Sequence, residues 1–345
     1  MIKNILVAAG LAASVFWGSP ATAQGPVPAY ETKVIPDIEN RPITFHIERF
    51  DLAEKVPILL VIDGSGCSGA LRTGFASLFR PQYGTLAGYA KLTLTKPGVA
   101  PHNADSKDCS AEYRERYSID SAVTDHLRVL QHLRSRADWW NGKLYIYGWS
   151  DGGDIGARLI SYYPNVERAL LGAQGGGYTM AQHVEDFWDC AADRNSAEER
   201  EACLVEMRGW FQELRDKPLA SLGKGESNQL WRSRIFADLV SILADSTVPL
   251  LVMHGAKDRD KTPVESARLL ISRLQAEGRE QLEYCEIPQM GHGTGSLTPE
   301  EGLRLENATL AWLMGRADAA ELLVEFCDPD PPLDKVAPPT APNHR

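Results

Sequence analysis

Lys143 to Ile155 reads KLYIYGWSDGGDI. Lys143 to Tyr147 is a short run rich in aromatic and branched residues, bounded by Asn141-Gly142 before it and Gly148 after it. That pattern predicts a buried strand. Gly148-Trp149-Ser150-Asp151-Gly152 has the form G-x-S-x-G, and apolar residues at helical spacing follow from Asp151 to Tyr163. A strand, a sharp turn and a helix in succession force Ser150 into a strained backbone conformation, and the flanking glycines remove side chains that would collide there. The hydroxyl is then held above the end of a sheet, open to a base and to a substrate. The same five residues also fit an ordinary glycine-rich turn, so the residues downstream have to decide.

A serine hydroxyl attacks poorly until a base takes its proton, and that base needs a carboxylate to orient it. Val248 to His254 predicts a strand and is followed by GAKDRDKTP, Gly255 to Pro263. Gln281 to Ile287 predicts another, followed by PQMGHG, Pro288 to Gly293. The chain order is therefore nucleophile, acid, base: Ser150, then Asp258 or Asp260, then His292. His254 reads as a residue that packs or caps a turn, and Asp154 as a helix-surface group or one that supports the site from behind.

The flanking chain alternates strand and helix. Pro42 to Phe50 alternates apolar and polar residues, as a half-exposed strand near a sheet edge does, whereas Val56 to Asp63 is continuously apolar, as a strand buried on both faces. The latter ends in the small-residue loop Gly64 to Gly69. Ala90 to Thr95 predicts a strand and Lys96 to Glu115 a polar loop. Ile119 to Arg136 predicts an amphipathic helix with Ile119, Val123, Leu127, Leu130 and Leu133 on one face and His126 and His132 on or beside the polar one. Arg168 to Gly172 predicts the strand after the Ser150 helix. Tyr178 to Thr247 breaks the rhythm, with no good strand and helical stretches at Met180–Ala192, Ala197–Leu214 and Leu230–Ala244, and reads as a helical insertion at about 178–247. Helices at Pro263–Ala276 and Pro299–Leu313 resume it. The expected class is α/β, a mostly parallel sheet covered by helices on both faces, with ligands at the carboxyl ends of the strands.

On these three loops the chain resembles the α/β-hydrolase superfamily: GWSDGG is similar to its nucleophile elbow, HGAKDRDKTP to its acid loop and MGHG to its histidine loop. Dienelactone hydrolases and the catalytic domains of prolyl oligopeptidases are members of this kind. The resemblance implies Ser150 as nucleophile, His292 as general base and then acid, and Asp258 as orienting acid. The acid loop is one residue longer before its proline than the common form, which keeps Asp260 as the second candidate. It also implies two backbone donors for the oxyanion: Asp151, just after the nucleophile, and Ser65 or Gly66 in the loop after Val56–Asp63, where Asp63-Gly64 stands in place of the frequent His-Gly.

The chain has 345 residues and a net charge of -10. Lys3, an apolar run from Ile5 to Trp17 and Ala21-Thr22-Ala23 form a leader that reads as a cleavable export signal of residues 1–23. Its removal takes away the single charge of Lys3 and leaves -11 on one domain of residues 24–327, with a Pro-rich tail, residues 328–345, expected to be loose. Such acidity, with no Lys/Arg stripe, argues against nucleic acid or anionic membrane surfaces as partners, and no later segment is long enough to span a bilayer. All six cysteines lie in the mature part, an even count suited to an oxidising compartment. Of the possible connectivities we expect pairing in order, Cys67 with Cys109, Cys190 with Cys203 and Cys285 with Cys327, against the alternative of several buried free thiols. No spacing suggests a metal site, and no cofactor is called for.

Two function classes fit. One is an exported serine hydrolase with an acyl-enzyme intermediate and a small-molecule or peptide acyl substrate, carboxylic esters ahead of peptides and acyl transfer. The other is a non-catalytic binding module on the same fold. The filled nucleophile, acid and base positions favour the enzyme.

Overall fold

The computed structural model describes residues 29–333, except 50–54, 73–77, 80–87, 106, 108, 189, 192–194, 220–221, 224–225 and 260. The leader read as an export signal, the last residues of the Pro-rich tail and Asp260 lie outside the described residues. Eight strands form one sheet: β1 (Ala29–Pro36), β2 (Pro42–Arg49), β3 (Val56–Ile62), β4 (Ala90–Thr95), β5 (Trp140–Trp149), β6 (Val166–Gly172), β9 (Leu250–Gly255) and β10 (Leu282–Ile287), in the spatial order β1-β2-β4-β3-β5-β6-β9-β10. β1 and β2 run antiparallel to their neighbours, and every pairing from β4 to β10 is parallel.

The period of the strand divides the core in two. Along β3, Ile58, Leu60 and Ile62 face one apolar cluster, while Leu59 and Val61 face the other. β9 repeats this, with Leu250 and Val252 on the first side and Leu251 and Met253 on the second. The helices at Ile119–Arg136, Asp151–Tyr162 and Val264–Ala276 cover the first face, and those at Pro299–Leu313 and Ala319–Val324 cover the second. Residues alternating between two covered faces have no polar side, so these strands read as unbroken apolar runs. No helix among the described residues is long and apolar enough to cross a membrane.

Several local expectations need correction. β1 precedes the strand expected at Pro42–Phe50 and pairs along its whole length with β2, so β2 lies next to the edge, as expected, but is largely buried rather than half-exposed. His126 is buried rather than polar-faced, its Nδ1 2.6 Å from the Ala122 carbonyl, because the apolar stripe of that helix is wide enough to include it. The insertion is more broken than its apolar spacing suggests. Its helices are Met180–His183 continuing into a π-turn at Val184–Trp188, then Ala197–Asp216, Asn228–Ile235 and Leu239–Leu243, with a two-residue strand pair, β7 (Leu222–Gly223) and β8 (Glu226–Ser227), between them. It packs a small core of its own around Leu204, Met207, Phe211 and Trp231. The start of the tail is held rather than loose: the Asp328 N–H donates to the Glu286 carbonyl at 2.7 Å, and the Ser272 hydroxyl donates to the Leu333 carbonyl at 3.2 Å.

Candidate active site

β5 runs up the middle of the sheet and ends at Trp149, and the helix Asp151–Tyr162 starts immediately after Ser150. Ser150 therefore reverses the chain alone, at φ 56° and ψ -124°. A non-glycine residue there stores about 1–3 kcal/mol of strain, and two backbone bonds hold it: Ser150 N–H to the Gly172 carbonyl at 2.7 Å and Gly153 N–H to the Ser150 carbonyl at 2.8 Å. Gly148 and Gly152 are required by closeness. A Cβ on Gly148 would overlap the Gly152 carbonyl, and one on Gly152 would overlap the Ile62 carbonyl of β3.

The structure brings three of the expected residues into one hydrogen-bonded chain. His292 Nε2 lies 3.1 Å from Ser150 Oγ, and His292 Nδ1 lies 2.7 Å from Asp258 Oδ2. Burial by itself would raise the Asp258 carboxyl, but the hydrogen bonds from His292 and from the Thr262 N–H outweigh it and hold the group below its ordinary range. An ionised carboxylate in that position fixes the ring with a proton on Nδ1 and leaves Nε2 free to accept from the serine. His254 sits behind Asp258. It is fully buried, its Nε2–H donates to the Thr262 carbonyl at 2.9 Å, and burial keeps it neutral, so it braces the loop.

The acid and histidine loops are tied together through main chain. Ala256 N–H donates to the Ile287 carbonyl and Lys257 N–H to the Met290 carbonyl, each at 3.0 Å. The histidine loop is also strapped to β5, because the Trp149 indole N–H donates to the His292 carbonyl at 2.8 Å. Trp149→Phe keeps an aromatic ring at this position and deletes this bond, which is worth about 1 kcal/mol net. We expect turnover to fall several-fold with KM little changed; equal turnover in the two proteins would show that the strap does not set the position of His292.

The loop after β3 approaches Ser150 closely: a Cβ built on Gly64 would stand 3.1 Å from Ser150 Cβ. Asp63, at its root, takes a bidentate pair from Arg72 at 2.6 and 2.7 Å and accepts the Gly64 N–H at 2.9 Å. The Cys67–Cys109 disulfide closes the far side of the loop, and Cys190–Cys203 and Cys285–Cys327 are the other two bridges. No free cysteine remains among the described residues.

Ser65, Ser150, Asp151 and His292 line one open cleft together with Asp154, Gln174, Met180, Arg234, Lys261 and Thr262. Gly66 is not among its lining residues. The polar walls of this cleft were missed in the sequence. Arg234 comes from the helical insertion and pairs with the Asp151 carboxylate, both side chains being only 9% exposed. Asp154, expected at the helix surface or behind the site, instead faces the cleft, and burial together with the neighbouring Asp151 pushes its carboxyl up to about 7. Both amide atoms of Gln174 are buried with no hydrogen-bond partner among the described residues. No group of three or more metal-binding side chains occurs among the described residues.

Comparison with known proteins matches residues 160–318 to the model of the prolyl oligopeptidase family, a span that takes in Asp258 and His292 and begins after Ser150. Esterase LipC of Mycobacterium tuberculosis is 49% identical over 45 residues, 13% of this chain and 11% of LipC. Among solved structures, a candidate dienelactone hydrolase from Klebsiella pneumoniae aligns over 84% of this chain and 99% of its own at 15% identity, with a TM-score of 0.54. Acylaminoacyl peptidase from Pyrococcus horikoshii aligns over 84% of this chain at 14% identity and a TM-score of 0.53, and this chain spans only 42% of that longer protein. At these identities the two structures are similar in fold alone.

Proposed function

We propose that this chain, whose fold is that of the α/β-hydrolases, belongs to that superfamily and is a serine hydrolase working through an acyl-enzyme, with carboxylic esters as its substrates. The observation that carries this reading is the unbroken chain from Ser150 Oγ to His292 to Asp258 at the mouth of the cleft. Ser150 Oγ adds to the acyl carbon as its proton passes to His292 Nε2. The carbonyl oxygen takes up the negative charge facing the N–H groups of Asp151 and Ser65. His292 then gives its proton to the departing alcohol oxygen, the acyl group stays on Ser150, and water attacks it by the same route in reverse roles.

Peptide hydrolysis is the second reading, and its support is the match to the prolyl oligopeptidase family over residues 160–318, which take in the acid and histidine loops. The polar walls, with a Gln174 amide that has no partner among the described residues and the Asp151–Arg234 pair, suit an acyl group that carries hydrogen-bonding atoms over a plain hydrocarbon chain. A place outside the reducing cytosol accords with the three disulfides.

The test is labelling with a fluorophosphonate, which an activated serine attacks whatever its natural substrate, followed by turnover of p-nitrophenyl acetate, an aminoacyl p-nitroanilide and an ester with an added alcohol acceptor. We expect labelling at Ser150 and the fastest turnover on the ester. A protein that no fluorophosphonate labels would be a binding module, and faster turnover of the anilide would move the assignment to peptidase.

A further inference from the structure

We propose that Lys96 is a positioning residue for this reaction: its buried ammonium grips the carbonyl of Gly64 and thereby aims the Ser65 N–H at the forming oxyanion. The inference rests on the serine-hydrolase reading and goes beyond it, since it concerns a residue outside the nucleophile, base and acid.

Lys96 is the first residue after β4, and β4 lies beside β3 in parallel register, so the two strands end side by side. This puts a lysine against the loop that follows β3. Its side chain is only 9% exposed. Nζ donates to the carbonyl of Gly64 and, at 2.7 Å, to that of Gly66, and it stands 3.6 Å from Asp63 Oδ2. The Tyr117 ring covers the ammonium, with its centroid 5.6 Å from Nζ. An ammonium has three protons to give, and here each faces an oxygen of one short loop. Hydrogen bonds from a cation are about twice as strong as neutral ones, so the loop is held firmly.

The direction of the grip matters more than its strength. The peptide between Gly64 and Ser65 is trans, as are all peptides of the described chain. In a trans peptide the C=O and N–H vectors point in opposite directions. With the Gly64 carbonyl turned to Lys96, the Ser65 N–H must point away from it, and Ser65 lines the cleft with Ser150 and His292. That N–H has no acceptor among the described residues, whereas the N–H of Gly64 is already spent on Asp63 Oδ1 at 2.9 Å. The choice between Ser65 and Gly66 therefore falls on Ser65. A donor fixed before the reaction stabilises charge that appears only in the transition state, typically by a factor of about 10² to 10³ in turnover.

The experiment compares wild type, Lys96→Met and Lys96→Gln on p-nitrophenyl acetate, together with inhibition by an alkyl trifluoromethyl ketone. Ser150 adds to that ketone and its proton passes to His292, so the carbonyl oxygen becomes a stable oxyanion in the same place. Lys96→Met is expected to lower kcat by about 10²-fold with KM within about threefold, and to weaken the ketone in proportion to the loss in kcat/KM. Lys96→Gln still offers one donor to the Gly64 carbonyl and should lie between the two. A merely structural role would lower the melting temperature without that parallel between turnover and ketone affinity. Should Lys96→Met fail to fold, Lys96→Gln decides: wild-type kcat and ketone affinity in that folded variant overturn the proposal, and a matched fall in both supports it. Failure of the serine-hydrolase reading looks different, because the wild type itself would then ignore the ketone.

Discussion

Ser150→Ala is expected to fold as the wild type does and to lose turnover of p-nitrophenyl acetate by a factor on the order of 10⁵ to 10⁶. The magnitude follows from the precedent of serine hydrolases stripped of the nucleophile, where only binding and oxyanion stabilisation remain. His292 keeps its bond to Asp258 in this variant, so the charge arrangement of the site is unchanged and only the attacking atom is gone. Alanine also keeps the Cβ, and with it the strain of a residue at φ 56°. A companion, Ser150→Gly, should be equally inactive but more stable than Ser150→Ala by about 1 kcal/mol, because glycine adopts that φ without steric cost. Thermal unfolding and ester turnover measured together separate the two effects. Turnover above about one part in 10³ of wild type in purified Ser150→Ala would remove Ser150 from the reaction. Equal melting temperatures for the two variants would show that the turn is not strained.

How much of this site could be read in the chain depended on where each residue finds its partner. The nucleophile turn was legible because its signal is local: β5, Ser150 and the following helix lie within Trp140–Tyr162. β3 and β9 were legible because burial on two faces demands unbroken apolar runs, and Asp258 follows β9 closely; His292 follows β10, an edge strand of mixed polarity. β1 was not, since an outermost strand is specified by its register with β2 more than by its own composition. Lys96 and Arg234 were missed for the opposite reason to β1. Each is a charged residue in a segment that reads as polar surface, yet each is buried against a partner far along the chain. Asp151 lies 83 residues from Arg234, and the Gly64 carbonyl lies 32 from Lys96. No period or motif in one segment signals that kind of pairing, because the cost of burying the charge is offset only once the other segment arrives. The cysteines sit between these cases. Their even number and order suggested a pairing, but only the assembled sheet brings Cys285 on β10 to Cys327 beyond the last helix.

Asp258→Asn is the second substitution with a large expected effect, a loss on the order of 10⁴ in turnover at unchanged fold. Asparagine is the same size, so the loop geometry survives, and its carbonyl oxygen can still accept the Thr262 N–H that Asp258 Oδ1 accepts at 3.2 Å. The change falls on Oδ2, which faces His292 Nδ1 at 2.7 Å. An amide NH₂ there donates where the carboxylate accepted. It drives the ring to the tautomer with its proton on Nε2, which then points a hydrogen at Ser150 Oγ and cannot take one from it. The imidazolium that must form during attack also loses its counter-charge. A stability effect comes with this and has a definite sign. Because the folded carboxyl is held below its ordinary range, its ionised form contributes stability that is full above the unfolded carboxylate range, about 4, and fades as the pH falls through the lower folded value. Asp258→Asn should therefore flatten the acid limb of the stability curve as well as lower turnover. Asp260→Asn is the control, expected to keep most activity, since His292 Nδ1 already has Asp258 Oδ2 as its partner at 2.7 Å. The reverse outcome, an active Asp258→Asn and an inactive Asp260→Asn, would move the acid two residues along the loop, and two active variants would mean that His292 works without either carboxylate.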